Sequence, residues 1–580
     1  MTCQAPPAAK GEGGYALWRW QTAATALILL GITYLVLRSR IIYYPLYQVQ
    51  TQDAVPLFVL SVSLIVAAFW TPAWRLPERL PRDRTLLLIG AVIAVSLAIG
   101  SYRVMWGFPL SIDERMVLFD MAVFDRMQLA TPLAPMWQPY AKALVPGFLL
   151  NDNMPTGLVS SYLPMNAMLR LAFSKLADPA MFNPLLALAG GAALLNIARR
   201  EFKGDGATCT VVLLVYTLSA QMLVNAMTAY SMTAHMALNL IWLAAFLRGG
   251  RLGHSAAIVT GFVATGLHQL AFHPLFVAAF LLWRLRHREW RLVLLYASAY
   301  AAIILWWAYY PVLAGHEVAG AAEPPPNSSL GVRISTALAM RGDAPVFTML
   351  LNLLRFTAWQ NLALLPLLSA AIAVALRDRG LPAVLLLGIA LWIAFIGLVT
   401  PFQGHGWGFR YLCPYLGSFA LLAGYGYREL GAEIGRKADG FVLALSCVTA
   451  VVTVPMLFAS AHWFIEPYLA LERLVEMQAA PMVLIDTYPG LATNGGWAGN
   501  AIENVRNVPN LSNRPLRLSS RGMTAELLAR LCRHGKIRLI TRADQRRAGL
   551  GLRLPDDSPP FVELVSAVRT RMPQCFVAAS

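Results

Sequence analysis

Residues 85–115 read TLLLIGAVIAVSLAIGSYRVMWGFPLSIDER, in which an uncharged apolar segment is followed by a short turn and an Asp-Glu pair. A helix needs about 20 apolar residues to cross a bilayer, and fewer when other helices surround it. Residues 85–102 therefore predict a membrane span. Asp113 and Glu114 then follow directly outside that span.

The rest of the chain has the same apolar character. Hydrophobic residues make up 57% of its 580 residues and charged residues only 13%, and the mean hydropathy is +0.55. Soluble proteins carry about 25% charged residues, so this composition excludes a soluble enzyme. We predict a polytopic α-helical membrane protein with about 13 transmembrane helices. The predicted spans are residues 21–37, 55–73, 85–102, 181–198, 207–225, 229–247, 254–267, 271–284, 292–311, 360–376, 381–400, 412–427 and 440–460.

Basic residues set the predicted orientation. The net charge is +17, but the Lys and Arg residues lie between apolar segments rather than in one domain, which argues against a nucleic-acid partner. Loops dense in Lys and Arg, such as residues 75–84 and 284–291, mark the cytoplasmic side. The pattern predicts a multi-pass inner (plasma) membrane protein with a cytoplasmic N-terminus. Residues 103–180 and 461–580 then lie on the periplasmic, extracytoplasmic side.

Residues 461–580 turn polar and predict a small C-terminal α/β domain. Cys532 and Cys575 are its only cysteines, and because outer compartments are oxidising, we predict a disulfide bond between them. The sequence contains no Walker A, GxGxxG or HExxH pattern, so nucleotide-driven transport and zincin proteolysis lack their usual signals. The predicted elements are strands at residues 482–486, 536–541 and 561–565 and a helix at residues 524–532.

The long outer segment, residues 103–180, is predicted to contain juxtamembrane helices. Ser111 followed three residues later by Glu114 fits a capping box, which predicts a helix start and offers a structural role for Glu114. Asp113 falls in the first turn, where acidic residues favour the helix dipole, so it also has a structural alternative. A second outer helix is predicted at residues 162–176.

These features together resemble a known family. The span, the Asp-Glu pair, the juxtamembrane helix led by Tyr162 and Pro164 and the long bundle are similar to the GT-C superfamily of polyprenyl-phosphate-sugar glycosyltransferases. That superfamily includes protein O-mannosyltransferases and lipid A aminoarabinose transferases. The stretch QGHGWGFRYLCP, residues 403–414, resembles the (H/R)-x-R-Y-L-x-P pattern of a late outer loop in these enzymes. The resemblance covers residues 85–460 and leaves residues 1–84 as an N-terminal region with two additional spans.

The resemblance implies inverting transfer of one sugar from a polyprenyl-phosphate donor to an unknown glycan, lipid or protein acceptor at the outer face. It makes Asp113 the general base that takes the proton of the acceptor hydroxyl. Glu114 matches the second acid, which could orient Asp113 or help it hold a divalent metal ion; some members need an ion and others do not. Asp152 is a weaker substrate-binding candidate, whose alternative is a turn with Asn151 and Asn153.

The departing lipid phosphate needs cationic hydrogen-bond donors. Arg410 is our candidate because its guanidinium offers a fork that matches phosphate oxygens; its alternative is an arginine that extends from a helix end to the interface. If a sugar lies between Asp113 and Arg410, the two side chains are about 10 Å apart. A hydrogen-bonded structural role is the alternative for both histidines of the turn at residues 268–273. The other candidate substrate-binding residues are His405, Tyr411, His268 and His273.

Three other functions remain open. A lipid-linked glycan polymerase or ligase would also use Arg and His in a late outer loop. A polytopic transporter or flippase would place charges near the membrane midplane and often shows internal repeats, whereas here the acidic pair follows a span and no repeat is evident. The non-catalytic interpretation is an assembly scaffold whose C-terminal domain binds envelope glycan.

Overall fold

The structure is a computed structural model. It describes residues 12–577 apart from residues 42, 146, 148, 150–155, 320–330, 332–334, 336–337, 339–343, 489–500 and 552–555. Its α-helices up to residue 319 are α1 (Glu12–Arg38), α2 (Tyr44–Gln48), α3 (Ala54–Phe69), α4 (Asp83–Arg103), α5 (Ile112–Phe124), α6 (Ala141–Leu144), α7 (Met165–Ser174), α8 (Phe182–Glu201), α9 (Gly206–Thr217), α10 (Ala220–Ala226), α11 (Met232–Arg248), α12 (Gly250–Thr265), α13 (Phe272–Arg286) and α14 (Trp290–Ala319). Those after residue 344 are α15 (Pro345–Ala358), α16 (Leu364–Arg377), α17 (Leu381–Val399), α18 (Leu416–Ile434), α19 (Lys437–Val448), α20 (Val454–Glu476), α21 (Ala525–Cys532), α22 (Arg542–Arg547) and α23 (Pro559–Arg569).

The chain is a multi-pass α-helical membrane protein. Among the described residues, seven helices are long and apolar enough to cross a membrane, and eight are if α9 and α10, bent by 53°, form one span. The seven are Ala16–Arg38, Tyr44–Phe69, Asp83–Arg103, Pro179–Glu201, Trp290–Val318, Leu381–Val399 and Lys437–Glu476.

Twelve of the thirteen predicted segments coincide with one helix or helical rod, and residues 207–225 coincide with the bent pair α9 and α10. Five of these helices do not meet that test. They are α11, α12, α13, α16 and α18, which are shorter or carry more charge. Several pack deep in the bundle: Trp242 of α11 and Phe280 of α13 are almost completely buried. A helix that neighbouring helices shield does not need a full bilayer length of apolar residues.

The last long helix differs from the prediction at its end. Residues 437–476 form a continuous helical rod, in which a π-helical turn, Thr449–Thr453, joins α19 to α20. The predicted boundary at residue 461 therefore lies inside a helix. The rod ends at Glu476, and the first strand of the C-terminal segment begins at Met482.

The C-terminal segment contains a four-stranded parallel sheet. Its strands are β3 (Met482–Ile485), β4 (Leu516–Ser519), β5 (Ile537–Ile540) and β6 (Phe576–Val577), in the order β4-β3-β5-β6. An antiparallel pair, β1 (Thr131–Pro132) and β2 (Gly157–Leu158), lies in residues 103–180. Two predicted strands thus coincide with β3 and β5, and the predicted helix at residues 524–532 coincides with α21.

The predicted strand at residues 561–565 is wrong. These residues lie in α23, which begins with two prolines, Pro559 and Pro560, in its first turn. Its buried residues are Phe561, Leu564, Val565 and Val568, a spacing of three and four that follows a helix rather than a strand. Proline suits the first helical turn because no backbone N–H is needed there.

The C-terminal sheet shares a core with residues 103–180. Leu484 and Leu539 of the sheet pack in one buried cluster with Met116 and Phe119 of α5 and with Leu144 of α6. The predicted division at residues 460 and 461 therefore separates parts that pack together.

A disulfide bond joins Cys532 at the end of α21 to Cys575 before β6. Their Cα atoms are 5.1 Å apart and they are 43 positions apart in the chain. In the loop-entropy model, such a closure stabilises the folded state by about 4 kcal/mol.

We expect mass spectrometry of the unreduced, unfolded protein to find the Cys532 and Cys575 peptides linked. Cys209 and Cys413, which are free and buried, serve as internal controls because unfolding should make both available to alkylation. Alkylation of Cys532 and Cys575 without reductant would contradict the disulfide.

Candidate active site

Asp113 is presented by the capped start of α5. The Ser111 hydroxyl accepts a hydrogen bond from the Glu114 N–H (3.2 Å), and the Ser111 N–H donates to the Glu114 carboxylate (3.3 Å). The other Glu114 oxygen accepts from the Ala229 N–H (3.1 Å). Burial raises the pKa of Glu114 to about 7. Glu114 therefore fastens the helix start to the loop before α11, which leaves Asp113 facing inward.

Asp113 and Arg410, 297 positions apart, are in direct contact. The Arg410 Nη1 lies 2.5 Å from the Asp113 Oδ2, and both side chains are buried. The Tyr162 hydroxyl donates to the other Asp113 oxygen, and the His268 Nε2 lies 3.8 Å from it. Burial alone would raise the pKa of Asp113, but the Arg410 guanidinium outweighs burial and holds that pKa well below its usual range.

Asp113 and Arg410 thus face one site, and they touch in this structure, whereas a gap of about 10 Å is expected when a sugar lies between them. Two opposite charges removed from water are strongly stabilised by contact, because each would otherwise be buried without a counterion. The pair is closed, and a substrate between the two groups would have to separate them.

The loop at residues 403–410 holds the Arg410 guanidinium in position. The Gln403 side-chain oxygen accepts from the Arg410 N–H (2.9 Å), and the Gln403 carbonyl accepts from Nη2 (2.5 Å). The guanidinium carbon lies 5.1 Å from the Tyr230 ring centre and 5.2 Å from that of Tyr411. Gly408 has a φ of +63°, which glycine adopts readily. Tyr411 thus forms part of an aromatic wall around Arg410.

His405 of this loop contacts both the N-terminal region and the C-terminal segment. Its Nδ1 lies 2.5 Å from the Tyr44 hydroxyl in α2, and its Nε2 lies 3.6 Å from the carboxylate of Glu503 in the C-terminal segment. Burial raises the pKa of Glu503 to about 7, and burial together with Arg410 lowers the pKa of His405 to about 4. No local sequence signal marked Tyr44 or Glu503.

A second buried ion pair, Asp53 with Arg355, links the same loop to the second N-terminal span, Tyr44–Phe69. The Arg355 Nε donates to Asp53 (2.9 Å), and the Arg355 Nη2 donates to the Gly406 carbonyl (2.9 Å). The Trp359 indole N–H donates to the other Asp53 oxygen (2.6 Å). The N-terminal region, whose role the sequence left open, thus holds the residues 403–410 loop in place.

One predicted site residue, His273, does not join this cluster. His273 is buried, and its ring nitrogens contact the Asn239 side-chain oxygen (2.7 Å) and the Tyr300 hydroxyl (2.7 Å). With both nitrogens engaged, His273 has the structural role that was its alternative. Asp152 lies outside the described residues.

The two acidic residues do not fit the metal site that the resemblance allowed. Both Glu114 oxygens accept backbone N–H groups, and both Asp113 oxygens are engaged by Arg410 and Tyr162. Across the part of the chain that the structure describes, no group of three or more His, Cys, Asp or Glu residues could hold a metal ion.

The fold places the chain in a class. The helical bundle places a buried Asp of α5 against an Arg of the residues 403–410 loop, and comparison with solved structures shows the GT-C fold. The structure is similar to that of ArnT from Cupriavidus metallidurans bound to undecaprenyl phosphate, with a TM-score of 0.51 and 12% identity. The match covers 74% of this chain and 86% of that chain.

A second solved structure, the apo state of the same ArnT, matches with a TM-score of 0.41 and 13% identity over 80% of this chain and 88% of that chain. No protein-family model matches the sequence, and no curated protein matches it. The likeness is therefore one of fold.

Proposed function

We propose that the protein is a membrane glycosyltransferase that moves a sugar from a polyprenyl-phosphate donor to an acceptor at the outer face of the inner membrane. The observation that carries this proposal is the buried pair of Asp113 and Arg410, which places a carboxylate and a phosphate-matched cation in one site. The fold supports it, because a protein of the same fold was solved with undecaprenyl phosphate bound.

Because Asp113 and Arg410 are in contact, the bound donor must separate them. The donor phosphate competes with Asp113 for the Arg410 guanidinium, since the same fork binds carboxylate and phosphate. Once Arg410 turns to the phosphate, Asp113 loses the cation that depresses its pKa and becomes a stronger base. Donor binding thus raises the pKa of Asp113 and allows it to act as the general base.

The transfer then inverts the anomeric carbon. The acceptor hydroxyl oxygen attacks that carbon while Asp113 takes the hydroxyl proton. The bond between the anomeric carbon and the phosphate oxygen breaks, and its electron pair leaves with the lipid phosphate, which Arg410 stabilises. His268 beside Asp113 and Tyr411 beside Arg410 line the two ends of this path.

The test is transfer by purified protein in lipid vesicles, with a panel of polyprenyl-phosphate sugars and an envelope extract as acceptor. We expect acceptor-dependent release of free polyprenyl phosphate. Elongation of lipid-linked glycan chains without any such release would instead identify a glycan polymerase or ligase and contradict the proposal.

All thirteen predicted segments, including the short helices, are proposed to cross the membrane, with the N-terminus in the cytoplasm. Asp113, Arg410 and the C-terminal sheet then share the outer side. Reporter fusions at Gly107 and at Ala480 should therefore both report the outer compartment, and a fusion within residues 199–203 should report the cytoplasm as the matched control. A cytoplasmic signal at Ala480 would contradict this count.

A further inference from the structure

A short turn of the C-terminal segment lies beside the candidate site. It spans Ala501–Asn504 and is mostly buried. Side chains of the turn or of α5 join it to the helix that carries Asp113 and to the residues 403–410 loop that carries Arg410. The turn therefore touches both of the elements that bring the buried ion pair together.

Two arginines fasten this turn to the start of α5. The Arg115 Nη1 donates to the Val505 carbonyl directly after the turn, and Arg115 follows Asp113 by two residues in the same helix. The Arg506 Nη2 donates to the Pro109 carbonyl, which precedes that helix. Hydrogen bonds with a charged donor are stronger than neutral ones. The turn is thus fixed to the chain on both sides of Asp113.

The Glu503 side chain reaches from the turn to the loop. It is 6% exposed, and its Oε1 lies 3.6 Å from the His405 Nε2, while its Oε2 lies 3.8 Å from the Arg115 Nη2. The Tyr44 hydroxyl contacts the opposite ring nitrogen of His405 at 2.5 Å, which orients the ring with Nε2 toward Glu503. The carboxylate therefore lies between a residue of the loop and a residue of α5.

The Glu503 side chain is not what holds the turn in shape. The Glu503 carbonyl accepts from the Arg506 Nε (2.8 Å), and the Asn504 side chain donates to the Tyr468 carbonyl (2.9 Å). The Glu503 Oε2 accepts no hydrogen bond from the described residues. Because a buried carboxylate is costly without polar or charged partners, its contacts with the loop and with α5 are the ones that compensate its burial.

This contact matters most when the donor binds. In the proposed function, Arg410 leaves Asp113 and turns to the phosphate, so the ion pair no longer joins the loop to α5. The contact between Glu503 and His405 does not involve that pair and remains. A displacement of about 1 Å in a catalytic group can cost on the order of 100-fold in rate, so the loop must stay in place while the guanidinium moves.

We propose that Glu503 is a positioning residue, which holds His405 and through it the loop that carries Arg410 at a fixed distance from Asp113. The C-terminal segment is then part of the machinery that binds the donor. The effect of Glu503 on sugar transfer rests on the proposed function, whereas its effect on the placement of the loop can be measured without any transfer.

The placement of the loop is tested by hydrogen exchange, measured by mass spectrometry on the detergent-solubilised full chain. In Glu503→Ala the backbone amides of residues 403–410 should exchange about tenfold faster than in wild type, because losing a contact with a charged group makes local opening easier. Glu503→Gln keeps the side-chain volume and one acceptor oxygen, so its increase should be smaller.

Asp544→Ala is the matched control for this measurement. Asp544 is also a buried carboxylate of the C-terminal segment and also pairs with arginines, but these arginines, Arg538 and Arg547, belong to the same segment. Its loss should lower the unfolding temperature and leave exchange in residues 403–410 at the wild-type rate.

The effect on the candidate site is tested by steady-state kinetics in lipid vesicles. Glu503→Ala should lower kcat/KM for the donor by about 10–100-fold, with a higher KM for the donor and an unchanged KM for the acceptor. Glu503→Gln should lie between Glu503→Ala and wild type. A residue that only stabilised the fold would instead lower the apparent kcat through a smaller folded fraction and leave both KM values unchanged.

Wild-type exchange of residues 403–410 in both Glu503 variants would overturn the proposal, and so would faster exchange with an unchanged KM for the donor. If Glu503→Ala does not fold, Glu503→Gln compared with Asp544→Asn decides by the same two measurements. Faster loop exchange in a protein whose wild type transfers no sugar would refute only the proposed function. Sugar transfer that neither Glu503 variant alters would refute only the role of Glu503.

Discussion

Replacing Asp113 with asparagine is expected to lower the rate of sugar transfer by about 10²–10⁴-fold, the usual contribution of a general base. The amide keeps the size of the carboxylate at the start of α5 but cannot accept the acceptor proton. The measurement is the rate of polyprenyl phosphate release at saturating donor. Wild-type turnover in Asp113→Asn would end the assignment of the base.

This variant also leaves Arg410 buried without its counterion, so its folding must be measured separately. Breaking a buried ion pair by removing one partner typically costs about 3–5 kcal/mol. Asp120→Asn is the matched control, because Asp120 lies on the same helix and is also buried. Burial raises the pKa of Asp120 to about 8, so it is mostly uncharged at neutral pH and an amide changes little. Asp120→Asn should keep both its transfer activity and its unfolding temperature near wild type.

Replacing Arg410 with alanine is expected to weaken donor use much more than acceptor use. Each hydrogen bond to a charged group contributes about 1.5–3 kcal/mol, so the loss of the fork predicts a fall in kcat/KM for the donor on the order of 10²-fold or more. Arg410→Lys should recover only part of this loss, because an ammonium group keeps the charge but not the two-pronged geometry. Steady-state kinetics with donor and acceptor varied in turn separate the two effects.

Two further measurements test whether Arg410 acts on the donor or only supports the fold. Arg103→Ala removes an exposed arginine at the end of α4 and should leave kcat/KM for the donor and for the acceptor unchanged. Since Arg410 also depresses the pKa of Asp113, its removal should shift the acid limb of the pH–rate profile to higher pH. Equal losses for donor and acceptor, with no shift of that limb, would show that Arg410 only supports the fold.

Local sequence patterns were sufficient to predict structural features that depend only on residues close together in the sequence. Apolar runs predicted the positions of the helices, and the spacing of Ser111 and Glu114 predicted the capping box that the structure contains. The apolar pattern of residues 536–541 predicted β5, and the two cysteines of the tail predicted the disulfide. The pattern failed at residues 561–565, where a short apolar run does not distinguish a strand from a helix.

The tertiary structure alone decided which of these pieces meet. Asp113 and Arg410 are 297 positions apart, and whether they lie 10 Å apart or touch depends on how α5 packs against the late loop. The same packing brought Tyr44 and Glu503, from opposite ends of the chain, to His405 and left His273 in a structural hydrogen-bond pair. Periodicity and capping depend on neighbours in sequence, whereas contacts between distant residues depend on the relative placement of whole helices, which no local pattern encodes.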